Sequence, residues 1–366
     1  MISTLAFIFV FGILVFIHEL GHFLAAKKNG VRVEKFSFGF GPKLWGKKKG
    51  DTEYLISAIP LGGYIKMAGD EPDKARKGRP WEYLSKSCGQ RAQIVAAGPI
   101  LNYFLAFLLF SFIFVMGAPV LTTKVGEVLE DSPAKKAGIK KDDIILTVNG
   151  EDVGEWQKMA EIIQQKTKKE RLLLNIKRGD EVLKIGLVPE VKETTDIFGQ
   201  KTNVGLIGIA SGGDVASVKY GWGKSFYKGG EKLFTLTGFT YKALWFMITR
   251  RLSFRESITG PVGIFYFTGK AAKLGFVYLL NLMGLLSMSL AIFNFLPFPV
   301  LDGGHIFFLL LEKIRKKPLS ARTQTIAAQV GMVFLFGLMT FAVYNDLIRF
   351  GVWEKIAQWW KGVGPK

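Results

Sequence analysis

Residues 18–22 read His18-Glu19-Leu20-Gly21-His22 and lie near the end of the apolar stretch 2–26. On an α-helix, residues four apart share a face, so both imidazoles can reach one metal ion while Glu19 lies beside it. The 17 residues before His18 contain no charged side chain. Ionisable side chains within a membrane helix are costly and mark functional positions. The stretch therefore predicts a metal site inside a membrane-spanning helix.

Three further stretches are long enough to cross a bilayer, which takes roughly 20 mostly apolar residues. They run over about 92–117, 275–298 and 327–348 of the 366 residues, 49% of which are hydrophobic. The first stretch lacks the basic start and the small-residue cleavage site of a secretory signal peptide, so we interpret it as a retained helix. We predict a polytopic α-helical membrane protein with about four transmembrane helices.

The charge distribution predicts an orientation. The net charge is +19, but no basic cluster coincides with a nucleic-acid motif, so we expect anionic lipid head groups and no nucleic acid as partners. The positive-inside rule places 27–91 and 299–326 in the cytoplasm, and both termini and 118–274 outside. At about 1.5 Å per residue, His18 lies roughly 13 Å from the basic end at Lys27. The site is thus expected within the membrane, towards its cytoplasmic side.

Two segments between the spans carry other structure. Residues 31–67 show partial alternation and predict a cytoplasmic β-hairpin region, which either associates with the membrane beside the site or is an ordinary hairpin. In 118–195, Ser132-Pro133-Ala134 with Gly138, followed by Asp142–Gly150, resembles a bacterial PDZ domain. That resemblance implies capture of an extended peptide beside a sheet edge. The alternative is a small structural domain with an empty groove.

These patterns predict four domains. They are 1–117, with two transmembrane helices, the His-Glu motif and the hairpin region; 118–195, the PDZ domain; 196–274, a linker with an interfacial amphipathic helix; and 275–366, with the last two transmembrane helices and an interfacial tail. Aromatic residues interleaved with lysine over 217–250 indicate the interfacial helix. Trp353, Trp359 and Trp360 indicate the tail. The single cysteine, Cys88, excludes an internal disulfide framework and a cysteine-rich zinc site.

A catalytic zinc site usually needs a third protein ligand besides an open position for water. The third span ends at Asn294, and Pro297 and Pro299 should break the helix at the membrane edge. Asp302 and His305 follow and can reach the cytoplasmic end of the first span. On chemistry alone the two are equally good candidates, since imidazole is the commoner zinc ligand.

Together these motifs resemble the site-2 protease family of intramembrane zinc metalloproteases. The pattern comprises the His-Glu motif, the later Asn-x-x-Pro-x-Pro-x-Leu-Asp-Gly-Gly, and the segments 39–42, 60–67 and 97–102. Among bacterial members the chain is similar to the regulator of sigma-E protease type, here with one PDZ domain. The resemblance implies Zn²⁺ as cofactor, His18, His22 and Asp302 as its ligands, Glu19 as catalytic base, and Asn294 as a substrate-binding residue.

The same resemblance implies a location in the bacterial cytoplasmic membrane and single-pass transmembrane proteins as substrates, such as an anti-sigma factor or remnant signal peptides. A catalytically silent, membrane-anchored PDZ scaffold is the main alternative, and an intact Glu19 argues against it. A metal transporter is less well supported, because the second and fourth spans supply almost no ionisable positions before Asp346. For Asn102, within the second span, hydrogen bonding between helices is the favoured role.

Overall fold

The computed structural model describes residues 1–70, 78–166, 170–195 and 200–352. The chain folds into two compact units. The helical unit comprises Met1–Ile113, Gly223–Tyr241 and Phe254–Lys366, and the β-rich unit comprises Phe114–Trp222 and Lys242–Ser253. The tail predicted from Trp353, Trp359 and Trp360 lies outside the described residues. The four-domain division stays a prediction.

Within the described ranges the helices are α1 (Ile2–Lys28), α2 (Cys88–Met116), α3 (Pro133–Lys136), α4 (Trp156–Gln164), α5 (Trp222–Ile248), α6 (Phe254–Ser257), α7 (Pro261–Leu274), α8 (Phe276–Asn294), α9 (Asp302–Arg315) and α10 (Ala321–Arg349). Four of them, α1, α2, α8 and α10, are long and apolar enough to cross a membrane. The prediction of about four such helices is confirmed. The amphipathic helix predicted over 217–250 forms as α5 and exposes Trp222, Tyr227, Phe234 and Trp245, while its position at a membrane interface stays a prediction.

The region between α1 and α2 is an antiparallel pair of long strands, β1 (Val33–Lys49) and β2 (Thr52–Met67). Both strands bend, so that residues 53–56 pair with 45–48 and also with 35–38. The pair packs on α1 through Phe16, whose ring centroid lies 5.8 Å from that of Phe36 and 6.1 Å from that of Phe38. The predicted β structure is therefore present, and it lies against the helix that carries the His-Glu motif.

The described residues of the β-rich unit form ten short strands, β3 (Ala118–Leu121), β4 (Val125–Val128), β5 (Ile144–Val148), β6 (Glu151–Asp152), β7 (Leu172–Arg178), β8 (Glu181–Leu187), β9 (Glu190–Thr195), β10 (Lys201–Leu206), β11 (Ile209–Ser211) and β12 (Val215–Val218). Strands β6-β5-β7-β8 form a sheet in that order. Strand β5 forms within the stretch Asp142–Gly150 that carries the PDZ resemblance, and β7 pairs with β8 antiparallel. In addition, β11 pairs with β4 and β12 pairs with β3, so part of the predicted linker adds strands to this unit.

One buried carboxylate in the β-rich unit is held by a full set of donors. Asp143 is 1% exposed and receives Arg178 Nε at 2.8 Å, Arg178 Nη2 at 2.7 Å and the Lys140 backbone N–H at 2.8 Å. Burial by itself raises the pKa of Asp143, but these hydrogen bonds and the guanidinium charge outweigh burial and hold the pKa of that carboxyl below its ordinary range. The pair joins the loop before β5 to β7.

In the helical unit, Asp346 of α10 caps another helix across space. Its side chain is fully buried and accepts the backbone N–H of Gly260 at 3.1 Å and of Gly263 at 2.7 Å, at the start of α7. The first N–H groups of a helix lack partners within the helix, and their positive end favours a carboxylate. Asp346 therefore fixes α10 to α7 and has a structural role.

Candidate metal centre

Three side chains from α1 and α9 converge at one point in the helical unit. His18 Nε2 lies 3.2 Å from His22 Nε2 and 3.2 Å from Asp302 Oδ2, and His22 Nε2 lies 3.6 Å from Asp302 Oδ1. One ligand atom from each of the three lies within 4.8 Å of the others. The one-turn spacing of the histidines on α1 and the start of α9 at Asp302 produce this cluster.

Helix α2 supplies the hydrogen-bond partners of the two imidazoles on their far side. His22 Nδ1 lies 2.9 Å from the carbonyl oxygen of Ile94. His18 Nδ1 lies 3.3 Å from the side-chain amide of Asn102. Since the pairings are 22 with 94 and 18 with 102, α1 and α2 run antiparallel. Each histidine is thus held at Nδ1 by α2 and presents Nε2 to the cluster.

Gly98 allows α2 to approach the histidines this closely. It lies on the same face of α2 as Ile94 and Asn102, four residues from each. A Cβ built on Gly98 would collide with His22 Nε2 and would lie 3.0 Å from His18 Cε1. Any larger residue at this position would push α2 away from α1 and lengthen both outer hydrogen bonds.

The break between α8 and α9 brings Asp302 to the cluster. Helix α8 ends at Asn294 and α9 begins at Asp302, as the two intervening prolines predict. The connecting loop folds back over the first turn of α9, where a Cβ on Gly303 or Gly304 would strike loop carbonyl oxygens. In addition, an ion pair between Arg91 and Glu312 connects α2 to α9.

The cluster opens into a cavity of about 420 Å³. Glu19 lines this cavity beside the histidines, and His305 lines it one turn beyond Asp302. Asn294, the last residue of α8, is half-buried and is not among the cavity-lining residues. The structure therefore brings together His18, Glu19, His22 and Asp302, includes His305 nearby, and leaves Asn294 outside the cavity wall.

The donor set fits a metal ion better than a purely protein-satisfied cluster. Asp302 Oδ2 is buried and makes no hydrogen bond among the described residues, although His18 Nε2 is 3.2 Å away. A buried carboxylate oxygen without a donor is expensive unless a cation accompanies it. Two imidazole nitrogens and one carboxylate form the ligand set of many catalytic zinc sites, which keep one position open.

Some partners at this site had no signal in the sequence. The contact between Ile94 and His22 is made by the backbone carbonyl of Ile94, so the identity of the residue at position 94 does not predict it. Arg91 and Glu312 lie 221 residues apart, and nothing in their local patterns links them. Asn102 was visible as a polar residue inside an apolar span, but only the facing of α2 towards α1 reveals that it contacts His18.

Comparison with solved structures gives matches that each cover about a quarter of this chain. The PDZ domain of the SdrC-like protein from Listeria monocytogenes is 23% identical, covering 24% of this chain and 84% of that domain with a TM-score of 0.19. The corresponding domain from Listeria innocua is 24% identical, covering 25% and 92%, with a TM-score of 0.20. These TM-scores are low, and the PDZ assignment therefore stays a prediction.

Comparison with protein sequences covers nearly the whole chain. Residues 6–338 match Peptidase family M50. A protein of Agrobacterium fabrum with a zinc-metalloprotease name is 37% identical, covering 93% of this chain and 94% of the relative. A similarly named protein of Clostridium acetobutylicum is 35% identical, covering 93% and 96%. Zinc metalloprotease RasP of Oceanobacillus iheyensis is 28% identical, covering 95% and 99%. The chain belongs to peptidase family M50, the site-2 protease family, and is a zinc metalloprotease.

Proposed function

We propose that this protease cleaves peptide bonds within or near the transmembrane segments of single-pass membrane proteins. In this proposal His18, His22 and Asp302 bind the zinc ion and Glu19 is the catalytic base. The observation that carries it is the convergence of three ligand atoms within 4.8 Å, two of them on a helix apolar enough to cross a membrane. A soluble protease has no need of a metal site inside such a helix, where ionisable groups are costly.

The chemistry divides between the metal and the chain. When bound, zinc supplies Lewis-acid polarisation of a carbonyl and lowers the pKa of water. Glu19, in the wall of the same cavity, accepts the proton of the attacking water and delivers it to the leaving amide nitrogen. The Nδ1 contacts from α2 hold both imidazoles with Nε2 directed at the cluster. Asn294 is proposed to contact the substrate backbone near the end of α8, although it does not line the cavity.

The position of the cavity beside α1, a helix apolar enough to cross a membrane, supports the proposed substrate class. A cleavage site lined by residues of α1 and α9 would be accessible to substrate segments that lie in the membrane or at its edge. We therefore propose regulated intramembrane proteolysis of single-pass proteins such as an anti-sigma factor, or clearance of remnant signal peptides. The β-rich unit is proposed to act as a PDZ domain that binds an extended peptide. A silent, membrane-anchored PDZ scaffold is disfavoured, because a base beside the ligands serves no purpose in binding alone.

The proposed location is the bacterial cytoplasmic membrane, with both termini and the β-rich unit outside and the metal site near the cytoplasmic side. Lys27 and Lys28 end α1, which supports a cytoplasmic position for that end. Limited proteolysis of right-side-out spheroplasts tests this orientation of the chain in the membrane. Cleavage within 118–222 only after the membrane is permeabilised would reverse the orientation.

The Glu19→Gln variant tests the proposed reaction. We expect cleavage of a tagged single-pass substrate in detergent to fall by at least about 100-fold, because the proton acceptor is lost. Zinc content, measured in parallel, should stay at one ion per chain, because glutamine leaves the three ligands in place. Glu130→Gln is the matched control, since Glu130 is an exposed glutamate of the β-rich unit, and it should cleave at the wild-type rate.

Two results would contradict the proposal. Equal cleavage by wild type and Glu19→Gln would remove the base assignment and with it the reaction described here. Absence of zinc from both proteins would remove the ligand set. Substrate that accumulates uncut on Glu19→Gln, identified by mass spectrometry, would extend the proposal by naming the membrane protein that is cleaved.

A further inference from the structure

We propose that Asn102 is a positioning residue for His18. Its side-chain carbonyl oxygen accepts a hydrogen bond from His18 Nδ1–H and thereby keeps the lone pair of Nε2 directed at the metal. This inference rests on the proposed metal site, and it gives a specific function to the hydrogen bonding between helices that the sequence favours for Asn102.

The argument starts from His22, where the partner settles the proton position. His22 Nδ1 lies 2.9 Å from the Ile94 carbonyl oxygen. A carbonyl oxygen can only accept, so His22 Nδ1 carries the proton and Nε2 is free to donate its lone pair to a metal. The same proton position is required of His18 if its Nε2 is also a ligand.

For His18 the corresponding partner is the Asn102 amide, 3.3 Å from Nδ1. A side-chain amide occupies the same space in two orientations that exchange oxygen and nitrogen by a half-turn about its last torsion. With the amide nitrogen towards His18, Asn102 Oδ1 is a buried acceptor that has no hydrogen-bond partner among the described residues. With the oxygen towards His18, the acceptor is used by the only proton that a zinc-bound imidazole has to give.

The opposite orientation conflicts with metal binding. If the amide nitrogen donated to His18 Nδ1, the proton of a neutral imidazole would lie on Nε2. That proton would point at His22 Nε2, 3.2 Å away, and would occupy the lone pair needed by the metal. The orientation with the oxygen facing His18 is therefore the one compatible with His18 as a ligand.

The surroundings of Asn102 hold its backbone in place independently of this choice. The residue is fully buried, and its backbone carbonyl accepts a hydrogen bond from Ser287 Oγ of α8 at 2.8 Å. Ile94, Gly98 and Asn102 share one face of α2 at four-residue spacing. Helix α2 thus presents two acceptors, one for each histidine, with Gly98 between them.

Two substitutions of Asn102 separate an acceptor role from a packing role. Asn102 is replaced by leucine, which has a similar volume and no acceptor, and by aspartate, which can accept but cannot donate. Each full-length variant is purified in detergent, stripped of metal, and titrated with Zn²⁺ against a chromophoric chelator. We expect Asn102→Leu to weaken zinc affinity by about 10- to 100-fold, as loss of the outer partner of a metal-bound histidine does.

Asn102→Asp is the informative variant, because it should bind zinc at least as tightly as the wild type. The chain contains only three histidines, so the imidazole signals of His18 can be resolved by ¹⁵N NMR of the zinc-loaded protein. We expect His18 Nδ1 to carry the proton in the wild type and in Asn102→Asp. Ser287→Ala is the control, since it removes a hydrogen bond to Asn102 without touching its amide, and it should retain wild-type affinity.

The outcomes distinguish this inference from the proposed function. Wild-type zinc affinity in Asn102→Leu would overturn the positioning role while leaving the ligand set intact. A loss in Asn102→Asp as large as that in Asn102→Leu would also overturn it, because a donor would then be needed. If Asn102→Leu does not fold, the Asn102→Asp titration decides alone. Failure of the wild type to bind zinc would overturn the metal site and this inference together.

Discussion

Two aspartates with buried carboxylate oxygens, one in each unit, have opposite hydrogen-bond environments. Asp143 of the β-rich unit has both carboxylate oxygens supplied with donors, from Arg178 and from the Lys140 backbone. Asp302 of the helical unit has a buried oxygen, Oδ2, that makes no hydrogen bond within the described chain. Burial of a charge is tolerated when it is paired and costly when it is not. The protein itself supplies all the hydrogen-bond donors that Asp143 needs. Asp302 Oδ2 lacks a partner, which a metal ion would provide.

Asp346 shows that burial within apolar helices does not by itself leave a carboxylate unsatisfied. It lies in α10, a helix long enough to span a membrane, and accepts two backbone N–H groups at the start of α7. The helical unit can therefore satisfy a buried carboxylate when the role is structural. The oxygen without a donor at Asp302 lies in the cluster with His18 and His22, and this contrast supports the proposed role of Asp302 as a metal ligand.

The largest effect is expected from Asp302→Asn. Because Asp302 is the proposed charged ligand, its loss should lower substrate cleavage by about 1000-fold or more and weaken zinc binding in parallel. Thermal unfolding of the metal-free protein should occur at the same temperature as in the wild type or higher, because the substitution removes the charge of a carboxylate whose Oδ2 is buried without a hydrogen-bond donor. Cleavage assays, zinc titration and calorimetry of the metal-free protein measure the three quantities.

The matched variant Asp143→Asn should show the reverse pattern, with zinc affinity retained and stability reduced. An Asp302→Asn protein that lost stability without losing zinc would place Asp302 with Asp143 as a structural residue. The contrast between the two aspartates would then disappear.

A smaller effect is expected from Asp143→Ala, which leaves the Arg178 guanidinium without its carboxylate. The free energy of unfolding of the β-rich unit should fall by about 3 kcal/mol, since breaking a buried charged pair leaves an uncompensated charge. This figure is at the low end for such pairs because the Arg178 side chain is 32% exposed and water can solvate it. Hydrogen exchange of the amides in β5 and β7 in the whole protein measures the change. Unaltered exchange would show that the pair contributes little.

The residues of the candidate site differ in how readily the sequence predicts them. Spacing on one helix is local, so His18, Glu19 and His22 were predictable from 3.6-residue periodicity and from their position in an apolar stretch. Predicting Asp302 required recognition of the break between two helices, which Pro297 and Pro299 indicate. It also required a choice between Asp302 and His305, which chemistry alone left open. The structure clusters Asp302 with the histidines and leaves His305 in the cavity wall.

Features that depend on long-range pairing were not predictable. Strands β11 and β12 are three and four residues long, too short to show alternation, and their partners β4 and β3 lie some 80 to 100 residues earlier in the sequence. The Ile94 carbonyl and the Asn102 amide become visible only when α2 is set antiparallel to α1. Local patterns thus predicted the long helices and the candidate site residues on α1, while the outer hydrogen bonds of the site required the packed structure.

The pH dependence of stability offers the smallest and most specific effect. Folding lowers the pKa of Asp143 below its ordinary range, because the hydrogen bonds and charge of Arg178 outweigh the opposing effect of burial. A lowered folded pKa means that the contribution of this carboxyl is fully present above its unfolded pKa of about 3.9 and is lost as the pH falls through the folded value. Hydrogen exchange in β7 between about pH 2 and pH 6 should therefore show a stability difference between wild type and Asp143→Asn that shrinks as the pH falls. Because asparagine cannot titrate, the two stability curves should converge at the acid end, whereas parallel curves would mean that Asp143 does not carry the pH dependence of the β-rich unit.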